Sequence, residues 1–179
     1  MGRRPVRRRP GGPRVLLSRL FVALFPPEEA RDHLRRHLPP GAARRADKWH
    51  VTLAFLGTVP DDAAPVVTHA LDGVPAPGPL HLRLAGGGRF GSVVWVGLRG
   101  DVEPLGAFRE QIRSALDDAG FPIDGRPFRP HLTITYRYDA RILSALDSYV
   151  GPSWTADLLT LANSHNGDYH HLWTHPLPH

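Results

Sequence analysis

The pattern His-apolar-Thr-apolar occurs twice in this chain, and each copy opens a run suited to a β-strand. The first lies in "WHVTLAFLG", residues 49–57, and the second in "PHLTITY", residues 130–136. Successive strand residues point to opposite faces. In the first run Trp49, Val51, Leu53 and Phe55 therefore share one face, and His50 and Thr52 the other. In the second, His131, Thr133 and Thr135 lie opposite Leu132, Ile134 and Tyr136. A lone strand histidine commonly serves structure only. Two copies on either side of the chain's middle constrain far more. The fold must bury two apolar strand faces while leaving two imidazole–hydroxyl pairs facing something polar.

The rest of the chain alternates helical and strand patterns. "RLFVALFPP" (residues 19–27) predicts a first strand stopped by its prolines. A helix follows, with Pro27 in its first turn, Glu28 and Glu29 at its N-terminus, and Arg35, Arg36 and His37 at its C-terminus, each matching the helix dipole. Ala30, Leu34 and Leu38 form its inner stripe. Asp61 or Asp62 can cap a second helix, with Val67, Ala70, Leu71 and Val74 inward. Two strands, "LHLRLAG" and "SVVWVGL", precede the longest helix, residues 102–120, which turns Leu105, Phe108, Ile112, Ala115, Leu116 and Ala119 to the core and ends at Gly120. A turn-rich linker (residues 121–130) leads into the second histidine strand. A short helix around Ile142 to Leu146 follows, then strands "WTADLLTLAN" and "YHHLWTH" joined by "SHNGD". Hairpin-like neighbours mixed with helices indicate an α+β fold with antiparallel sheets. A histidine strand in each half suggests two similar lobes whose motif strands face a shared cleft.

Charge separates a tail from a folded body. Residues 1–14 contain six arginines and no acid, against a net charge of +5 for the chain, so residues 15–179 carry −1. A nucleic-acid surface on the body must be local, built from a few arginines. Residues 1–18 are expected to be a basic, disordered tail, and residues 19–179 a single domain. The tail resembles the start of a signal peptide, but Arg19 interrupts the apolar run and no small-residue cleavage site follows. With no cysteine, disulfides and thiolate metal sites are excluded. No apolar run approaches the roughly 18 residues of a membrane span. A cytoplasmic monomer without membrane contact is the expectation.

Two other motifs invite chemical readings. "GGGRFG" (residues 86–91) satisfies G-x-G-x-x-G, yet a dinucleotide site needs a helix opening at those glycines. Strand patterns flank them here, so a glycine-rich hairpin is expected. His165, His170, His171, His175 and His179 enrich the C-terminus. The spacing of His171 and His175 gathers ligands on a helix and separates them on a strand. No metal and no cofactor are expected.

Two imidazoles across a cleft can divide the work of a displacement, one accepting a proton while the other donates. The threonine hydroxyls beside them can donate to oxygens that gain charge. A strained cyclic phosphodiester is a fitting substrate, needing neither a covalent nucleophile nor a metal.

The paired H-x-T-x motifs resemble the two-histidine phosphoesterase superfamily. "RLFVALFPP", "WHVTLAFLG", "GGGRFGSVVWVGL", "FRPHLTIT" and "NSHNGDYHHLWTHPL" resemble its LigT-like branch, the RNA 2′,3′-cyclic phosphodiesterases of the 2′-5′ RNA ligase family. The resemblance implies a bilobal, duplicated α+β fold: two antiparallel sheets line a central cleft and the helices lie outside. It implies hydrolysis of an RNA 2′,3′-cyclic phosphate end to a 2′-phosphate. His50 would be the proton donor and His131 the proton acceptor, with Thr52 and Thr133 binding phosphate. Phe55 resembles the family's base-stacking aromatic, although strict alternation puts it opposite His50. The family often has arginine five residues after the second histidine. Tyr136 stands there, leaving Arg137 or Arg129 as candidate substrate-binding cations. Small cyclic nucleotides, ADP-ribose cyclic phosphate, reversible 2′-5′ ligation and non-catalytic RNA-end binding are the alternatives.

Overall fold

The computed structural model describes residues 16–179, so residues 1–15 of the arginine-rich tail lie outside the described residues. Eight strands and four α-helices are interspersed among the described residues. They are β1 (Leu17–Leu24), α1 (Glu28–His37), β2 (Val51–Pro60), α2 (Ala64–Asp72), β3 (His81–Phe90), β4 (Val93–Gly100), α3 (Val102–Asp118), β5 (His131–Thr135), α4 (Ala140–Leu146), β6 (Val150–Thr155), β7 (Leu158–His165) and β8 (Asp168–Pro176). Single turns of 3₁₀-helix cover Ala46–Lys48 and Asp61–Ala63.

The α+β class is as expected. In place of two sheets, the strands form one eight-stranded sheet, ordered β6-β3-β4-β5-β2-β1-β7-β8, with antiparallel neighbours throughout. The two motif strands, β2 and β5, are its central neighbours, paired only at Val51↔Leu132. That seam divides the sheet into two four-stranded halves. The sheet is strongly curved, as chain length shows. Six strand spacings separate β6 from β7, roughly 29 Å on a flat sheet, yet Thr155 and Leu158 are joined by a link reaching about 11 Å at most.

The halves repeat a strand–helix–motif-strand unit, β1–α1–β2 and β4–α3–β5. In each, the helix crosses behind the opposite half: α1 packs against β3 and β6, and α3 against β2. Most of the predicted stripes are buried, Ala30, Leu34 and Leu38 on and just beyond α1, and Leu105, Phe108, Ile112 and Leu116 on α3, whereas Ala115 and Ala119 are only half-buried. They join the inward residues of every half in one core, including Leu20, Val22, Val51, Leu82, Val96, Leu132 and Leu161. The opposite sheet face carries only a small cluster of Phe21, Ala23 and Ala162. The cleft lies on that face.

Several boundaries differ from the sequence reading. Neither Asp61 nor Asp62 caps α2, which begins at Ala64 after a 3₁₀ turn and has no side-chain cap. "WTADLLTLAN" is not one strand: β6 ends at Thr155 on one sheet edge, and β7 starts at Leu158 in the other half. Pro152 obscures β6 in the sequence, and it is tolerated because β6 is an edge strand. The glycine run extends β3 to Phe90, and the hairpin turns at Gly91, whose φ of 57° suits glycine. Dinucleotide geometry is absent there, because no helix opens at those glycines.

Candidate active site

Antiparallel pairing at the seam determines the site. Val51 and Leu132 are fully buried on the core side. One step to either side, His50 and Thr52 on one strand meet Thr133 and His131 on the other, all on the cleft face. These four residues line a cavity of about 330 Å³ together with Arg44, Tyr136 and Tyr169, among others.

Each ring is held in the same way. His50 Nδ1 lies 2.8 Å from the Lys48 carbonyl, and His131 Nδ1 lies 2.7 Å from the Arg129 carbonyl. A carbonyl only accepts, so each Nδ1 carries a hydrogen, leaving Nε2 as the atom that can take or give a proton. Neither Thr52 nor Thr133 spends its hydroxyl on another described residue.

The walls around the two rings differ. His50 packs among Phe21 (4.8 Å between ring centroids), Phe25 (5.5 Å) and Tyr169 (5.3 Å). Burial therefore pushes its pKa below the ordinary histidine range; the Lys48 carbonyl opposes this, and the charge of His131 adds to it. His131 has Phe90 edge-on at 5.2 Å and Trp95 at 6.0 Å, both from the β3–β4 hairpin. A Cβ at Gly88 would enter the Trp95 indole, so glycine there lets the indole lie over the backbone beside His131.

Phe55 corrects the expectation from strict alternation. The register runs Ala23↔Thr52 then Val22↔Ala54, so Leu53 is an extra, bulged residue. The bulge reverses the alternation and brings Phe55 to the face of His50 and Thr52, 47% exposed, with the Arg19 guanidinium 5.0 Å from its ring. The second motif repeats the device: Trp95↔Thr133 then Val94↔Thr135 makes Ile134 extra. Tyr136, like Phe55, lies five residues after its histidine, and it lines the cavity. Arg137 lines an adjoining groove instead, while the exposed Arg129 side chain lines neither and only its carbonyl serves the site.

Residues 23–168 match the model of the 2′-5′ RNA ligase superfamily. The chain belongs to that superfamily. It is 35% identical over 124 residues to an RNA 2′,3′-cyclic phosphodiesterase of Escherichia coli, covering 65% of this chain and 70% of that protein. It is 32% identical over 134 residues to a Geobacillus stearothermophilus protein of the same name, covering 68% of this chain and 42% of that longer relative. The fold is similar to the crystal structure of E. coli LigT complexed with 3′-AMP, at a TM-score of 0.75 and 27% identity, covering 92% of this chain and 100% of that one.

This superfamily member also carries site residues that sequence reasoning missed. Arg44, Arg45 and Lys48 bring positive charge to the cavity from the loop before β2. Lys48 pairs with Asp168 at 2.7 Å, and both Lys48 and Arg45 donate to the Gly167 carbonyl. Those contacts anchor the β7–β8 turn, where Asn166 and Gly167 have the positive φ of a tight hairpin, and so position Tyr169. Arg44 has no hydrogen-bonding or ionic partner among the described residues and is the cation free for a ligand. Only a generic arginine pair marks it in the sequence. No cluster of three or more potential metal ligands occurs among the described residues, and no helix among them is long and apolar enough to cross a membrane.

Proposed function

We propose that this superfamily member is a cyclic phosphodiesterase that opens RNA 2′,3′-cyclic phosphate ends to 2′-phosphates by general acid–base catalysis. The observation carrying the reading is the pair of histidines on one face of the β2–β5 seam, each with Nδ1 held by a carbonyl and Nε2 left to exchange a proton. Water attacks phosphorus and gives its proton to His131 Nε2. The P–O3′ bond breaks, and His50 Nε2 protonates the departing oxygen. Thr52 and Thr133 donate to the non-bridging oxygens, whose charge grows in the transition state, and Arg44 supplies the fixed positive charge. Solvent then restores the proton from His131 to His50, so the cycle balances without a metal. The named activity of the E. coli and G. stearothermophilus relatives supports the same substrate class.

The test is incubation with a short RNA ending in 2′,3′-cyclic phosphate in EDTA, with product identified by phosphorus NMR. A 2′-phosphate is expected from wild type only. His50→Ala and His131→Ala should each lose at least about 100-fold in turnover, the lower end of acid–base contributions. Full activity in either variant, or dependence on a divalent ion, refutes the mechanism.

A further inference from the structure

A second groove, about 450 Å³, adjoins the catalytic cavity and shares Gly41, Ala42, Arg44 and Thr135 with it. Its far wall comes from the turn after β5, with Arg137, Tyr138 and Asp139, and from Arg141 in the first turn of α4. The charges there are unequal. Arg141 holds the only acid lining the groove, Asp139, through Nη2–Oδ2 at 2.9 Å, and the same carboxylate accepts the Arg141 backbone N–H at the start of α4. Arg44 and Arg137 have no acidic partner among the described residues. The Arg137 backbone is fixed: its N–H donates to the Thr135 hydroxyl at 3.1 Å, and that hydroxyl donates to its carbonyl. Two exposed tyrosines flank the path, Tyr136 at 73% and Tyr138 at 54%, with Arg89 5.4 Å from the Tyr138 ring. Free arginines interleaved with exposed aromatic rings suit a single strand, which offers a phosphate and a stacking base at every step.

The geometry points to an upstream subsite in which Arg137 binds the phosphate one nucleotide before the reacting end and Tyr138 stacks a base, while Arg44, at the junction, stays with the reacting phosphate. The ligand class is single-stranded RNA, longer than a mononucleotide. This inference rests on the cyclic phosphodiesterase reading, because the catalytic cavity defines which end of the strand lies next door.

Two measurements separate the ideas. The first is fluorescence anisotropy with a labelled RNA tetramer ending in 2′-phosphate, titrated with salt against wild type, Arg137→Ala and Arg137→Lys. Arg137→Ala is expected to bind about ten-fold more weakly, as for loss of a charged hydrogen-bond donor. Its log–log salt slope should fall by about 0.7, one single-strand phosphate contact, and Arg137→Lys should retain most of the binding. The second is kcat/KM on the tetramer with a cyclic end and on a mononucleotide 2′,3′-cyclic phosphate. Arg137→Ala should lose the tetramer's advantage, since the mononucleotide does not reach the groove. Binding indifferent to Arg137, or equal losses on both substrates, overturns the subsite even where hydrolysis is confirmed. Turnover of neither substrate with Arg137-dependent binding intact overturns the hydrolase reading and supports the groove as an RNA site.

Discussion

Arg109→Met isolates a side chain that ties the bulge of β2 to the linker leading into β5. Arg109 sits on α3 and is only 8% exposed. Its Nε donates to the carbonyl of Leu53, the bulged residue of β2, at 3.3 Å; its Nη2 donates to the Asp124 carbonyl, in the linker leading to β5, at 2.7 Å. Its guanidinium also lies 5.6 Å from the Phe128 ring. Methionine keeps an unbranched stem but loses the ion pair with Glu110. It orphans the carbonyl of the buried Leu53, at a cost of about 1–3 kcal/mol, while the carbonyl of the exposed Asp124 can turn to water. Removing a buried charge offsets part of that loss, leaving a net destabilisation of about 1–2 kcal/mol. Relaxation of the bulge and linker should also misplace Thr52 and His131, at a cost of up to about 100-fold in kcat. Urea unfolding followed by circular dichroism gives the stability. Steady-state kinetics on cyclic-ended RNA, well below the transition, give the activity. The positioning role requires kcat to fall more than KM rises, with Arg109→Lys intermediate. A stability loss within about 0.5 kcal/mol, the range of an ordinary surface change, together with an intact kcat would refute the reasoning.

Two further outcomes follow from the rings and their walls. Burial and the facing charge resist a second proton on the histidine pair, so the inactive doubly protonated form should appear only as pH falls below the ordinary histidine value of about 6.5. The acid limb of kcat/KM should lie under that value, and a limb at or above it contradicts the assignment. Gly88→Ala should force the Trp95 indole off the backbone, lowering stability by about 1–3 kcal/mol as overpacking does and reducing kcat through His131; an unchanged melting temperature and rate would count against that packing.

The sequence makes the repeated unit legible because its signals are local. Alternation in "HVT" and "HLT" assigns the cleft face, and the 3.6-residue stripe of Leu105, Phe108, Ile112 and Leu116 assigns the inner face of α3. Pairing across long separations is not local. No residue near Val51 announces that it will meet Leu132, so two sheets were expected where one curved sheet forms. The bulges at Leu53 and Ile134 are equally silent, because both are apolar residues that read as ordinary inward strand positions. That is why alternation alone places Phe55 opposite His50, on the wrong face. Arg44 escaped notice for another reason: its usefulness lies in lacking the partners that its neighbours Arg45 and Lys48 have, a property of the β7–β8 turn over 120 residues away.

The two histidines share a motif, a carbonyl lock and a bulge, so whatever distinguishes their roles must come from what surrounds them. Around His50 the surroundings are Phe21, Phe25 and Tyr169, an aromatic enclosure that makes its imidazolium costly. A costly imidazolium is scarce in the free protein, yet it is a stronger acid once formed. Arrival of a phosphodiester anion supplies the missing stabilisation through the opposite charge, favouring the proton on His50 when substrate is present. In the proposed mechanism this more acidic imidazolium faces the departing alkoxide as the P–O3′ bond breaks, where its driving force is largest. His131, against the hairpin edge, lacks that three-ring enclosure, and in the proposed mechanism it has the less demanding task of accepting a proton from water under attack. The donor role of His50 is thus favoured by the same enclosure that lowers its pKa, and replacing Phe25 with a smaller polar residue should raise that pKa, which histidine proton NMR can follow directly.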